Sequence, residues 1–246
     1  MARKSLLRTT RVGETAAVAK TYEPTDRTRV RRKADRGTYD RATVHAILDE
    51  ALVAHVAFVV DGRPWSVPMT YARIGDDLYL HGARGNHALR SLADGAPACV
   101  VVTLLDGLVL SRSSFHHSMN YRSVVLFGSA VEVADHEQKL RAVQAVVEHV
   151  VPGRTVSCRP PSEQELRSTL VVRLPLVEVS AKVRTGPPVE EPADLALALW
   201  AGEVPLRVVA GAPVPDADVA PGTPVPDHVV GYARPGRPAV SPEPTP

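Results

Sequence analysis

Cysteine is nearly missing from this chain, and lysine is scarce. The two cysteines, Cys99 and Cys158, are too few for a disulfide framework, and neither has a Cys or His nearby at zinc-ligand spacing. Cys99 lies in the apolar run ACVVVTLL and reads as core, Cys158 as loop, a usage that fits a reducing, cytoplasmic compartment. No run of about 18 apolar residues occurs, so no membrane-spanning helix is expected. The first twenty residues are Arg-rich but lack the apolar stretch of a signal peptide. The chain also has no GxSxG elbow, and its one strand–Gly loop–helix candidate has neither GxGxxG nor GK[ST] spacing. A hydrolase elbow, a dinucleotide fold and a P-loop are therefore excluded.

What is present suits one ordinary domain with extensions: 246 residues, 44% of them hydrophobic. The net charge of +2 is unevenly spread. Residues 1–36 carry eleven Lys or Arg against four acids, and they show no apolar period, so they read as a mobile basic arm. The segment RTRVRRKADR (27–36) invites a nucleic-acid reading, but it lacks interleaved aromatics and any recognised module, so nucleic acid is not the expected partner. After Thr185 the composition changes again, with 14 of the 22 prolines between Pro187 and Pro246, and an extended tail is predicted from Gly211 onward. The resulting division is 1–36 arm, 37–188 domain, 189–246 Pro-rich extension.

Within the domain, Asp40 is a good N-cap for a helix to about Ala54, with Val44, Ile47, Leu48 and Ala51 on one face. His55–Val60 and Trp65–Arg73 read as strands around an Asp61-Gly62 hairpin turn, followed by Leu78–His81 after Gly75. A short helix is expected from Asn86 to Leu92. Ala98–Leu105 and Gly107–Ser111 read as a strand pair turning at Asp106-Gly107, and Tyr121–Val133 as a long strand. Asp135 caps a helix ending at Pro152-Gly153, Ser162–Glu165 matches a capping box, and Thr169–Val183 is the last strand, with Pro175 as a bulge or edge marker. About six turn-linked strands with few helices argue for a mainly β antiparallel barrel with peripheral helices.

Two clusters can carry chemistry. His81-Gly82-Ala83-Arg84-Gly85-Asn86-His87 links a strand to a helix start, where free N–H groups and Arg84 would suit an anion. Taken alone it reads first as an ordinary turn with a surface arginine. Tyr121-Arg122-Ser123, where a polar loop enters a buried strand, offers an aromatic plate, a fork of donors and a hydroxyl. Lys182 stands out as one of only five lysines, near the end of the last strand. These are the needs of a planar phosphorylated cofactor such as FMN, whose phosphate bears roughly −1.5 to −2 charge. His116 and His117, adjacent on an extended chain, project apart and do not form a metal pair.

The blocks VPMTYAR, LYLHG with its following loop, LLDGLVLSRSSFHHSMNYRSVVLFGSA and SAKVRTGPP resemble, in order and spacing, the pyridoxamine 5′-phosphate oxidase-like FMN-binding split barrels, and among them the nitroimidazole-resistance group. The resemblance implies a six-stranded antiparallel Greek-key split β-barrel that forms a homodimer with FMN at the interface. It places Thr70 and Tyr71 against the flavin ring and His81, Gly82 and Ala83 along its edge. Arg84, Asn86 and His87 would lie near the phosphate, Tyr121, Arg122 and Ser123 would come from the long strand or the other subunit, and Lys182 from the last strand. His81 is the one candidate for a catalytic role. His87 stands where relatives carry Lys or Arg, and the substrate-binding His and Arg of true pyridoxamine phosphate oxidases have no counterpart, so vitamin B6 oxidation is not expected. The activity implied is electron transfer from a reduced nicotinamide through FMN to a small acceptor: a nitro compound, a quinone or oxygen. The alternatives are a flavin store or redox sensor without catalysis, a deazaflavin or haem in the same groove, and a nucleic-acid-associated regulator acting through the arm.

Overall fold

The computed structural model describes residues 19–234. The start of the basic arm and the prolines beyond 234 lie outside the described residues. β1 (Gly37–Thr38) leads to α1 (Arg41–Glu50), which starts where the Asp40 carboxylate accepts from the Thr43 N–H and buries Val44, Ile47 and Leu48. β2 (Val53–Val60) and β3 (Arg63–Ile74) are joined through Asp61 and Gly62. Both turn residues have positive φ, 49° and 73°, as a two-residue type I′ hairpin requires. β4 (Asp77–Ala83) and the seven-residue α2 (His87–Ala93) follow, then β5 (Pro97–Leu110) and β6 (Ser118–Ser129). β7 (Val131–Glu132), α3 (His136–Val150) and α4 (Glu163–Ser168), the last with its capping box formed at Ser162 and Glu165, lead to β8 (Thr169–Pro175) and β9 (Glu178–Arg184). Beyond the domain lie β10 (Gly202–Pro205) and α5 (Asp227–Val230).

All the strand pairs are antiparallel, in the order β1-β9-β6-β5-β2-β3-β4-β8-β7, with β10 on β5. After the β2-β3-β4 meander, β5 returns beside β2, which is the Greek-key step. The sheet curls around a core containing Tyr71, Leu80, Val100, Leu126 and Leu174, with α1 and α2 packed on it. The mainly β antiparallel split-barrel architecture read from the sequence is the observed one, with a different strand count. The expected last strand is two, because the chain bends at Leu176-Val177 after Pro175 and passes from the ladder with β4 to the ladder with β6. That gives seven principal strands and three short ones. The expected pair around Asp106-Gly107 is instead a single fourteen-residue strand, β5, with a bulge between Leu105 and Gly107. A bulge leaves an extra residue unpaired, so Asp-Gly here bends a strand where it was expected to reverse one.

The extensions are more tightly held than their composition implies. Residues 19–36 are not a free arm: Tyr22 is 3% exposed within the core, and its hydroxyl donates to Asp76 at 3.0 Å. β1 pairs with β9, and Lys182 Nζ reaches the Arg32 carbonyl at 3.1 Å. The tail is exposed from 211 to 226, and it is anchored on both sides of that stretch, by β10 and by the segment 227–234. Tyr232 donates to the Val150 carbonyl at 2.9 Å, and Arg234 donates to the carbonyls of Asp49, Glu50, Ala51 and His149. Those carbonyls end α1 and α3, where helices leave acceptors without intrahelical partners. No helix among the described residues is long and apolar enough to cross a membrane.

Candidate functional site

Tyr71 pairs with Leu80 across β3 and β4, and both point into the core at 0% and 1% exposure. Side chains alternate along a strand, so Thr70 and His81, one step further on the same two strands, take the other side. There they border a cleft of about 440 Å3 whose polar members are Thr70, His81, Asn86 and His87. Its walls are Phe58, Trp65, Val67 and Met69, and the Trp65 ring lies 5.3 Å from that of His87. Gly82 lets α2 pack closely here: a Cβ at this position would stand 2.9 Å from Leu89 Cδ1, which would have to shift. Among the described residues the buried His81 Nδ1 has no hydrogen-bond partner, and burial pulls its pKa below the ordinary histidine value, which keeps the ring neutral.

Tyr71 does not face this cleft. Its hydroxyl donates to the Leu48 carbonyl at 2.6 Å and its ring lies 4.8 Å from that of His149. The helix-start anion site also differs from expectation. The Arg84 N–H goes to Ser168, the Asn86 N–H to Ala83, and the Asn86 side chain caps α2 by accepting from Leu89 N at 3.1 Å. Two of the loop's own N–H groups are thus taken up within the fold, and its side chains are further donors. Of these, Arg84 is paired with Glu132 at 3.3 Å in an exposed contact, the kind worth least to stability. Ala83 is exposed and pairs with Thr169 at the start of β8.

The second cluster stands apart from the first. Tyr121, Arg122 and Ser123 lie on β6, separated from β3 in the sheet by β5 and β2. Ser123 pairs with Lys182 on β9, and Tyr121 with Leu105 and Arg184. Arg122 is occupied: Nε and Nη2 donate to Asp106 at 2.9 and 2.8 Å, Nη2 donates to Glu50 at 2.9 Å, and Nη1 also binds Glu50. Its hydrogen bonds to Asp106 and then to Glu50 push its pKa further up, so it is a fixed cation between two carboxylates. The donor fork expected to meet a phosphate is thus satisfied within the fold. Sequence reasoning missed Glu50, Phe58, Trp65 and Met69. Trp65 was the readable signal, as a large aromatic at a strand end beside a polar loop.

A curled antiparallel sheet of this strand order, with a histidine-bearing cleft beside β3 and β4, defines a split-barrel protein. The chain belongs to the pyridoxamine 5′-phosphate oxidase family, whose model matches residues 40–183, more than half its length. No curated protein matches it. Among solved structures it is similar to the flavocytochrome Anf3 from Azotobacter vinelandii, at 36% identity and TM-score 0.81, over 87% of this chain and 99% of that one. It is also similar to the FAD and haem binding protein from Mycobacterium smegmatis, at 41% identity and TM-score 0.78, over 81% and 98%. A candidate 5-nitroimidazole antibiotic resistance protein from Bacteroides thetaiotaomicron VPI-5482 shares the fold, at 24% identity and TM-score 0.51, over 60% and 86%. The first two likenesses leave too little of the chain uncovered to omit all of residues 189–246, so part of the extension is shared with them.

Proposed function

We propose that this chain is a redox flavoprotein that holds a flavin nucleotide in the cleft of Thr70, His81, Asn86 and His87. The observation that carries this reading is the cleft's composition. Aromatic and aliphatic side chains form one wall, and the other holds neutral His81 with an unpartnered buried nitrogen, beside a loop bearing Arg84 and His87. A planar ring suits the apolar wall, and a phosphate suits the loop side chains. The family resemblance favours FMN, and the M. smegmatis neighbour is named for FAD. A bound flavin supplies hydride and single-electron transfer, so we assign a reduced nicotinamide as donor and a nitro compound, quinone or oxygen as acceptor. The chain's own part is to bind and orient the ring, exclude water along Phe58, Trp65 and Met69, and present the His81 imidazole as a hydrogen-bonding group. A homodimer is part of the proposal: a partner's Tyr121, Ser123 and Lys182 would complete a cleft from which β2 and β5 separate their counterparts in the same chain.

A haem held in addition to the flavin is the second reading. It is favoured because the two neighbours at 36% and 41% identity are named as a flavocytochrome and as a FAD and haem binding protein. The test for both is to denature the purified protein and identify what is released by absorbance and mass. FMN or FAD would support the flavin reading, and the mass decides between them. A colourless protein that takes up neither nucleotide overturns it. Bleaching by a reduced nicotinamide, with reoxidation by an added acceptor, separates an enzyme from a store.

A further inference from the structure

The last described stretch of the extension, 227–234, is docked on the ends of α1 and α3 through Tyr232 and Arg234. Arg234 Nη2 donates to the Ala51 carbonyl at 3.3 Å, and Nε2 of His149 lies 2.7 Å from the same oxygen. A carbonyl only accepts, so this imidazole nitrogen carries a proton and donates. A guanidinium and an imidazole therefore meet at one acceptor. We propose that the segment 227–234 is a pH-released latch: protonation of His149 beside Arg234 frees it and opens the cleft it covers. The proposal stands apart from the flavin reading and uses none of the residues assigned to the flavin cleft.

Every charge around His149 enters the balance. From β3, Tyr71 stacks its ring 4.8 Å from the imidazole and spends its hydroxyl on Leu48, so it brings no charge. From α1, Asp49 is held by Arg73 at 2.8 and 2.6 Å, and those two charges offset each other. Glu50 is bound by Arg122, which it shares with Asp106. On α3 itself, Glu148 accepts from the Gly153 and Thr155 N–H groups at 2.6 and 2.8 Å and attracts His228 of the segment. Arg234 is the cation that shares an acceptor with the ring, and it also binds the His149 carbonyl. Burial and then the Arg234 charge hold the His149 pKa below the ordinary histidine value. Release of the segment relieves both causes, so the released state binds a proton more readily. The latch is closed above the ordinary value of about 6.5, where the ring is neutral in both states, and weakens as pH falls below it.

The geometry also says what release does. The cleft, of about 430 Å3, has Val53 and His55 of β2 on one side and Val208, Val209, Val230 and Tyr232 of the extension on the other. β10 holds the first part of the extension on β5, and the stretch 211–226 that follows is exposed. On that tether the segment 227–234 swings away while Val208 and Val209 stay beside β10. Nothing in α5 resists this, because a helix of four residues does not persist without packing. A mostly aliphatic cleft is thereby covered at neutral pH and uncovered at mildly acidic pH.

Amide hydrogen exchange on the full chain, corrected for its intrinsic pH dependence, tests the latch. The N–H groups of Val229, Val230 and Gly231 are bonded within the segment's own turn, so their protection reports docking. In wild type that protection should fall at least tenfold from pH 7.5 to pH 5.5, while the amides of α3 and β5 keep theirs. His149→Gln, which still donates to Ala51 but takes up no proton, should stay protected at pH 5.5, and His228→Gln should release as wild type does. Protonation and docking are linked reciprocally, so the His149 ring followed by NMR should titrate at higher pH in Arg234→Gln than in wild type. Equal protection of the segment at both pH values in wild type overturns the proposal. So does an undiminished loss in His149→Gln with α3 still protected, or a His149 titration that Arg234→Gln leaves unmoved.

Discussion

Arg234 Nε donates to the Glu50 carbonyl at 3.0 Å, tying the far end of the described chain to the last residue of α1. The same guanidinium serves Asp49, Ala51 and His149, so one side chain satisfies the C-terminal acceptors of two helices. Hydrogen bonds from a charged donor contribute about 1.5–3 kcal/mol. Arg234→Ala is expected to lower stability by about 2 kcal/mol and the Tm by several degrees. Calorimetry checks this, and an unchanged Tm would show that the contact contributes nothing in solution.

Arg122→Ala should act on the fold and leave the flavin cleft alone. Its guanidinium helps neutralise Glu50, a carboxylate only 4% exposed. Removing one partner of a buried pair costs about 3 kcal/mol. Urea unfolding should register that loss, while the flavin content of the folded fraction stays constant. Normal stability with weakened flavin binding would put Arg122 on the cofactor instead.

Tyr71→Phe keeps the ring in the core and removes the hydroxyl that serves Leu48. A buried acceptor left unsatisfied costs about 1–3 kcal/mol. A loss in that range with unaltered flavin binding is expected, and a drop in flavin affinity would restore Tyr71 to the site.

Burial lowers the pKa of His45, His81 and His149. In the unfolded chain these rings protonate near the ordinary value of about 6.5. Between that value and their lower folded values, the unfolded state binds more protons, so stability falls as pH falls through this window and levels off below it. Denaturation at pH 7.5 and pH 5.5 should therefore show lower stability at pH 5.5, and His149→Gln should flatten the difference. Equal stability at both values would be evidence against neutral buried rings.

Local chemistry made part of this molecule legible in advance. Asp40, Asp135 and Ser162 cap the helices they were expected to cap, because a short side chain reaching back to a free N–H is decided within four residues. Thr70, His81, Asn86 and His87 share a cleft because two strands and a turn bring them together. What escaped depends on distant partners. Asp106-Gly107 has the composition of a turn, and its bulge is set by strands on both sides. Arg122 meets Glu50 across 72 residues of sequence, and no local signal marks such a pair. Tyr22 is read as part of a basic arm until Asp76 and His45 stand beside it.

The bulged strand has a consequence for how the chain is assembled. Before the bulge, β5 lies between β6 and β2, whereas after it β10 takes the place of β2. That second half, Gly107 to Leu110, waits for residues some ninety positions later in the chain. Until they emerge it is a bare strand edge, a template for pairing with any neighbouring chain. In the finished fold the proline-rich end covers a margin that the barrel alone leaves open to pairing.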